Sequence, residues 1–233
     1  MTARAGCGYS RAGCRIGIER GSRPIVRAAM ESIVGAHQIR CRSCGASLPT
    51  DVLHRACPAC GGDLEFSYDV KNARLDRPLP GIWRFIDLLP LDDAAAIVSL
   101  GEGNTPLIPA RLGAELGCNL WWKWEGGNPT GAQKDRGLAV AISKGRAAGA
   151  TSAIIASTGS AGLSSAAYAA RAGMKQIVLV SRNPPPMRVL PMVALGATIF
   201  EVDGTIEETI DLLGEASAQL GAYETTTYRR ANP

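Results

Sequence analysis

Two groups of residues have the types and spacing to do chemistry. The first is Cys41-x2-Cys44-x12-Cys57-x2-Cys60. Each C-x-x-C turns as a tight knuckle that aims two thiolates at one point. Gly45 and Gly61 stand where such a knuckle calls for a left-handed residue. Two knuckles supply four sulfurs, the donor set of tetrahedral zinc. A redox dithiol is the other chemistry this spacing allows, but that motif sits beside a strand–helix–strand unit and these pairs do not. Four thiolates leave no open position for water, so the expected zinc is structural. His37 and His54 flank the site and are expected at the surface rather than among the ligands.

The second group centres on Lys134 in "EGGNPTGAQKDRG", residues 125–137. Thr130 and Gln133 fit a capping box with Thr130 as N-cap, which puts Lys134 in the first turn of a helix. The helix macrodipole is positive there and disfavours an ammonium. A lysine so placed either holds an anion or reacts as a neutral amine, as a Schiff-base lysine must. A solvated lysine pairing with Asp135 is the structural alternative. Downstream, "STGSAG" (157–162) joins an apolar strand to a helix with two glycines and three hydroxyls. Open N–H groups at a helix start bind anions, carboxylates included. A candidate nucleophile and an anion nest in one α/β unit make an enzyme site, and pyridoxal phosphate is a cofactor that works through such a lysine.

The elements that must position these groups follow from periodicity. Leu138, Ala141, Ile142 and Gly145 share one helical face. "SAIIAS" (152–157), "QIVLVS" (176–181), "TIFEVD" (198–203) and "AYETTTY" (222–228) read as strands. Between them, residues 160–173 form a helix stopped by Gly173, and Pro191 starts or kinks the next. A Thr205–Glu208 capping box opens a last helix with Ile206, Ile210, Leu213 and Leu220 inward and Gly221 as its stop. Alternating strands and helices predict an α/β fold, a parallel sheet with flanking helices. Ahead of it, "NLWWKW" (119–124) reads as an apolar strand after a short helix. Its Trp121, Trp122 and Trp124 are expected to pack rather than carry a cofactor. Cys118 is expected to be a small buried residue. The expected organisation is a disordered extension over 1–29, a zinc ribbon over 30–75, a linking segment with the first elements of the main fold over 76–125, and the α/β portion over 126–233.

Composition bounds the reading. The chain has 233 residues, 46% hydrophobic and 20% charged, with a net charge of +4, and holds no apolar run long enough to span a bilayer. Six arginines against Glu19 fall in the first 29 residues, and the rest is near neutral, which argues against nucleic-acid binding. That segment reads either as an upstream extension with the working start at Met30 or as an Arg-rich leader. Seven cysteines with no secretory segment point to a reducing, cytoplasmic setting.

"SLGEGNTPL" (99–107), the Lys134 motif and "STGSAGLSSAAYAARAGM" (157–174) together resemble threonine synthase, within the fold type II pyridoxal-phosphate enzymes. "IWRFIDLLPL" (82–91) and "TTTYR" (225–229) read like segments of the same family, and the cysteine pairs resemble the zinc ribbon of part of that group. The resemblance runs from about residue 38 to the end. It implies that Lys134 binds the cofactor covalently and shuttles protons. It implies that Ser157, Thr158, Ser160 and Ala161 hold the substrate carboxylate, with Gly159 and Ser160 beside the cofactor. Ser160 stands where the family carries asparagine, and Ala132-Gln133 replaces the common Ser-Phe. The family's glycine-rich phosphate loop has no counterpart after Gly162, so the chain is expected to hold the N-terminal part of the fold. The expected reaction is conversion of O-phosphohomoserine to threonine. A related β-elimination or β-replacement on serine, threonine or a phosphorylated analogue stays open, as do a non-catalytic zinc-ribbon protein and an inactive fragment. The expected partners are a small amino-acid substrate and a second copy of the chain, with no membrane or nucleic acid.

Overall fold

The computed structural model describes residues 37–226. The Arg-rich segment 1–29, Met30 and the last two residues of the fourth expected strand (222–228) lie outside the described residues.

A small antiparallel sheet comes first, built from β1 (His37–Cys41), β2 (Ser47–Leu48) and β3 (Leu64–Tyr68) in the order β2-β1-β3. Ile39, Leu48 and Leu64 pack with Cys41 and Cys57 in a core of its own. So few apolar side chains stabilise a fold weakly, which is why units of this size carry a staple. His37 departs from expectation. It is 4% exposed, because the alternation of β1 turns it to the same inner face as Ile39 and Cys41.

The main sheet is parallel, in the order β8-β7-β6-β9. Its strands are β6 (Ser152–Ala156), β7 (Lys175–Ser181), β8 (Thr198–Val202) and β9 (Tyr223–Glu224). Their connections are α3 (Ser160–Ala172), α4 (Pro186–Ala194) and α5 (Ile206–Leu220), and α2 (Lys134–Ala147) precedes β6. Side chains alternate across the sheet as the period of two requires. Ala153, Ile155, Val178 and Val180 face a core shared with Leu138, Ile142, Tyr168 and Met192 of α2, α3 and α4. Ile154, Ala156 and Leu179 face Leu213 of α5 on the other side. Both faces are covered, as a parallel sheet needs.

Local signals account for several boundaries. Gly173 and Gly221 end α3 and α5 in the left-handed conformation. Thr205 and Glu208 form the reciprocal capping box on α5. Pro186 begins α4, and Pro191 lies inside it. Leu220 is 52% exposed rather than inward, because Ser217 takes the buried position one turn earlier and donates to the Ala222 carbonyl at 2.8 Å.

Residues 81–98 do more than link. Ile82, Trp83, Ile86, Leu91 and Val98 belong to the same core as the sheet. Two irregular stretches meet backbone to backbone there, the Ile82 N–H donating to the Glu102 carbonyl at 3.2 Å. Gly81 has φ +61°, and a Cβ on it would lie 1.9 Å from that carbonyl oxygen. Next comes an antiparallel pair, β4 (Leu107–Pro109) and β5 (Trp121–Lys123), with a short helix α1 (Leu112–Glu115) between them. Trp121, Trp122 and Trp124 are not packed but each more than half exposed, since a two-stranded ribbon offers no covering layer among the described residues. Cys118 is likewise exposed. No helix among the described residues is long and apolar enough to cross a membrane.

The close approach gives a test. Gly81→Ala should cost about 2 kcal/mol or more, from strain plus a backbone clash. Gly117→Ala has a similar φ but open space around it, and should cost only about 1 kcal/mol. Denaturant midpoints of the two variants decide it, and equal losses would refute the packing role of Gly81.

Candidate functional site

The loop before α2 is held by carboxylates. Asp135 is fully buried, and its oxygens accept from the Thr130 N–H (2.6 Å), the Thr130 hydroxyl (2.5 Å) and the Ser164 hydroxyl of α3 (2.6 Å). This overturns the expected Thr130 cap. Asp135 captures both Thr130 donors, Gly131 takes φ +81°, and α2 starts four residues later with Gln133 at the cap position. Lys134 is therefore the first helical residue. It is half-buried and makes no hydrogen bond or ion pair among the described residues, so the alternative of a Lys134–Asp135 pair does not hold.

A second carboxylate, Glu125, receives a two-pronged bond from Arg136 (2.8 and 2.9 Å), with Thr105 and Asn128 also donating to it. Arg136 holds the Glu125 carboxyl down at about 2, burial opposes this, and the Thr105 and Asn128 bonds add to the lowering. Asn128 accepts the Gly103 N–H at 3.0 Å, which ties the loop to the glycine-rich stretch before it. A third carboxylate, Glu102, is fully buried beside them and accepts from Trp83 Nε1, the Tyr168 hydroxyl, the Leu100 N–H and Ser99. Burial and then the bond to Glu102 push the Tyr168 hydroxyl well above its ordinary value.

Across from Lys134, the chain leaves β6 at Ser157 and enters α3 at Ser160. The Gly159 N–H donates to Ser157 Oγ at 3.2 Å, and Thr158 Oγ1 meets Ser181 Oγ at 3.2 Å. Gly159 is the cap residue, and no side chain caps the helix, so its first N–H groups stay open to the solvent side. Gly162 keeps the turn tight, since a Cβ there would lie 2.8 Å from the Ser157 carbonyl oxygen.

Lys134 and all of Ser157, Thr158, Gly159, Ser160 and Ala161 line one open cleft of about 660 Å³. It lies outside the carboxyl ends of β6 and β7, where ligands of parallel α/β sheets bind. Its far wall is the turn after β7 with Arg182 and the first turn of α4 with Arg188. Arg182 pairs with Asp203. Arg188 has no ion-pair partner among the described residues. Periodicity placed a helix around Pro191 but did not single out Arg188. A cation shortly after the carboxyl end of a strand was the available signal. The roles of Asp135, Glu102 and Glu125 were missed too, because each also has a partner on another segment, Ser164, Tyr168 and Thr105 respectively.

The cysteines converge as expected. The four Sγ atoms lie within 4.8 Å of one another. Cys41 and Cys60 are 3.5 Å apart, and Cys44 and Cys57 3.7 Å. Zinc–sulfur bonds in a tetrahedron would set these at about 3.8 Å, so the cluster fits a metal ion. The knuckles repeat one geometry, Gly45 N–H to Cys41 O and Gly61 N–H to Cys57 O, with both glycines left-handed. The Cys44 N–H pulls the Cys41 thiol down, burial opposes, and the Ser43 N–H adds to the pull, for a value of about 6. Neither His37 nor His54 joins the cluster.

Residues 98–233 match the family described as "Pyridoxal-phosphate dependent enzyme". A threonine synthase of Methanocaldococcus jannaschii is 36% identical over 194 residues, which covers 79% of this chain and 48% of that protein. One of Mycobacterium leprae is 41% identical over 145 residues, 61% of this chain and 40% of that protein. The chain spans about half the length of the curated relatives it matches, or less. Among solved structures, diaminopropionate ammonia lyase from Escherichia coli superposes with a TM-score of 0.50 at 20% identity. It covers 57% of this chain and 39% of that one, a likeness of fold.

Two outcomes are expected from the carboxylates. Ser164→Ala removes one donor from buried Asp135 and should destabilise by about 1.5–3 kcal/mol in chemical denaturation, whereas a neutral result would deny the bridge its role. Glu125 titrates below its ordinary 4.5 in the folded chain. Its contribution is therefore complete above that value and is lost as pH falls toward about 2. Glu125→Gln should flatten the fall of Tm over that window relative to wild type.

Proposed function

The chain belongs to the pyridoxal-phosphate dependent enzymes, and we propose that it carries the lysine and carboxylate-binding part of a threonine-synthase-like lyase. The reaction is conversion of O-phosphohomoserine and water to threonine and inorganic phosphate. One observation carries this reading. Lys134, the uncapped start of α3 and Arg188, which has no ion-pair partner among the described residues, face a single cleft. They supply an amine, a carboxylate site and a cation for a phosphate, the three groups that a phosphorylated amino acid and its cofactor require.

Pyridoxal phosphate, when bound, supplies an electron sink that stabilises a carbanion next to the amino-bearing carbon. The residues here do the rest. Lys134 Nζ holds the cofactor and carries a proton away from and back to the substrate carbons. It suits this work because it stands at the first position of α2, on the cleft wall, with no ion pair among the described residues. The N–H groups of Ser160 and Ala161, with the hydroxyls of Ser157 and Thr158, fix the substrate carboxylate. Arg188 orients the phosphate that leaves, and Gly159 and Ser160 sit beside the cofactor. A related β-elimination or β-replacement is the second reading. Ser160 favours it, because a serine hydroxyl is shorter and offers fewer donors than the asparagine of the threonine synthases. For the four cysteines we infer structural zinc, since sulfur-only coordination leaves no place for a reacting water.

The test is a borohydride trap with peptide mapping. Pyridoxal phosphate added to the purified chain should label Lys134 selectively, and Lys134→Ala should abolish that label. Labelling spread evenly over surface lysines would sink the reading for this chain. In an active preparation, Arg188→Met should raise KM for the phosphorylated substrate about tenfold or more, the scale of one lost charge-assisted bond. An unchanged KM would remove Arg188 from the phosphate site.

A further inference from the structure

Two buried or bonded cations outside the cleft are left unexplained by the proposed chemistry, and both lead to one loop. Residues 45–56 run between Cys44 and Cys57, and after β2 they form no helix or strand. From this loop, the Thr50 carbonyl accepts from Lys144 Nζ of α2. The same ammonium lies 3.3 Å from Asp92 Oδ2. Asp92 turns its other oxygen to His37 Nδ1 of β1, also at 3.3 Å. Lys144 is only 5% exposed, so its charge depends on these few oxygens. Five residues on, Arg55 donates to the Gly214 carbonyl of α5 at 3.1 Å and pairs with Glu224 of β9 at 2.8 Å.

The loop thus meets the main domain through directional polar contacts rather than apolar mass. Beside them lies a cavity of about 560 Å³ walled by Leu53, Arg55, Ala150, Ile210 and Tyr223. Contacts of this kind hold only while the loop keeps its shape. An irregular twelve-residue loop keeps its shape when its two ends are cross-linked, which removes its closure entropy. Here the cross-link is the four-sulfur cluster that contains Cys44 and Cys57.

We propose that the ribbon is a metal-dependent brace: the ion bound by the four cysteines fixes loop 45–56, and the loop, through Thr50 and Arg55, fixes helix α2 and the α5–β9 edge. Lys144 is the residue through which α2 reads the state of the metal site. It stands on the same rigid helix that begins at Lys134, so loss of the ion loosens the helix that bears the cleft's lysine. This inference rests on the metal reading above, not on the identity of the substrate.

The test is hydrogen exchange on the full chain, zinc-loaded and after chelation, with metal content measured in parallel. Chelation should speed exchange over 49–56 and over the second half of α2, residues 140–147, by about tenfold, the scale of one lost charge-assisted bond. The strands β6 and β7 should stay protected. Lys144→Met should speed exchange in α2 while one zinc stays bound. Arg55→Ala, at the exposed rim, should act on residues 214–224 and leave α2 alone. If zinc binds but its removal leaves α2 unchanged, the brace is overturned and the metal reading survives. If no zinc binds at a stoichiometry of one, the metal reading falls and the brace with it.

Discussion

The carboxylate of Asp135 is the constraint on which the site depends. It has no cation beside it among its partners, and a buried unpaired charge is tolerated only when donors surround it. Those donors come from two places, Thr130 in the loop ahead of α2 and Ser164 on α3. To satisfy Asp135, the loop must close against α3. That closure sets Lys134, the preceding residue in the chain, opposite the turn at 157–161. Glu125 and Glu102 extend the same logic outward. Glu125 fixes the loop to Arg136 and Thr105, and Glu102 fixes the glycine-rich stretch to Trp83 and Tyr168. Three acidic residues, none of them in the cleft lining, decide where the cleft's reactive groups stand.

The parallel sheet was legible in the sequence because local rules governed it. "SAIIA" alternates between two covered faces, Gly173 and Gly221 stop helices where a left-handed residue was required, and Thr205 with Glu208 caps α5 as its spacing implies. Lys134 and the 157–161 turn were legible for the same reason, since each is a helix start with a characteristic composition. The cysteine knuckles were legible because a metal cluster needs four donors at fixed short spacings, and little else in a chain mimics that.

Tertiary and side-chain contacts overrode local rules elsewhere. Thr130 has every local feature of an N-cap, yet a buried carboxylate five residues away offered its N–H and hydroxyl better partners. His37 resembled a surface residue by composition, but the pleat of β1 turns it inward between Phe66, Tyr68 and Asp92. Burial pushes its imidazole below the ordinary value, with Lys144 adding to that and Asp92 opposing it. Trp121 and Trp122 alternate as a packed strand would, but β4 and β5 pair only with each other among the described residues, so neither face is covered. In each case the deciding contact is made in three dimensions, and hydrophobic periodicity does not report it.

Helix α2 gathers these effects, because its two lysines have opposite fates. Lys144 lies in the last turn, where the macrodipole favours a cation, and its charge is further met by a carbonyl and a carboxylate. These oxygens offset the cost of burying it. Lys134 lies at the first position, at the positive end of the same dipole, and no described side chain is paired with it. A side chain left without such a partner is free to meet a ligand, and the cleft in front of it provides the room. One helix thus places one lysine in a structural contact with the ribbon loop and the other on the wall of the cleft. The ribbon at one end and the cleft at the other are the surroundings that each role requires.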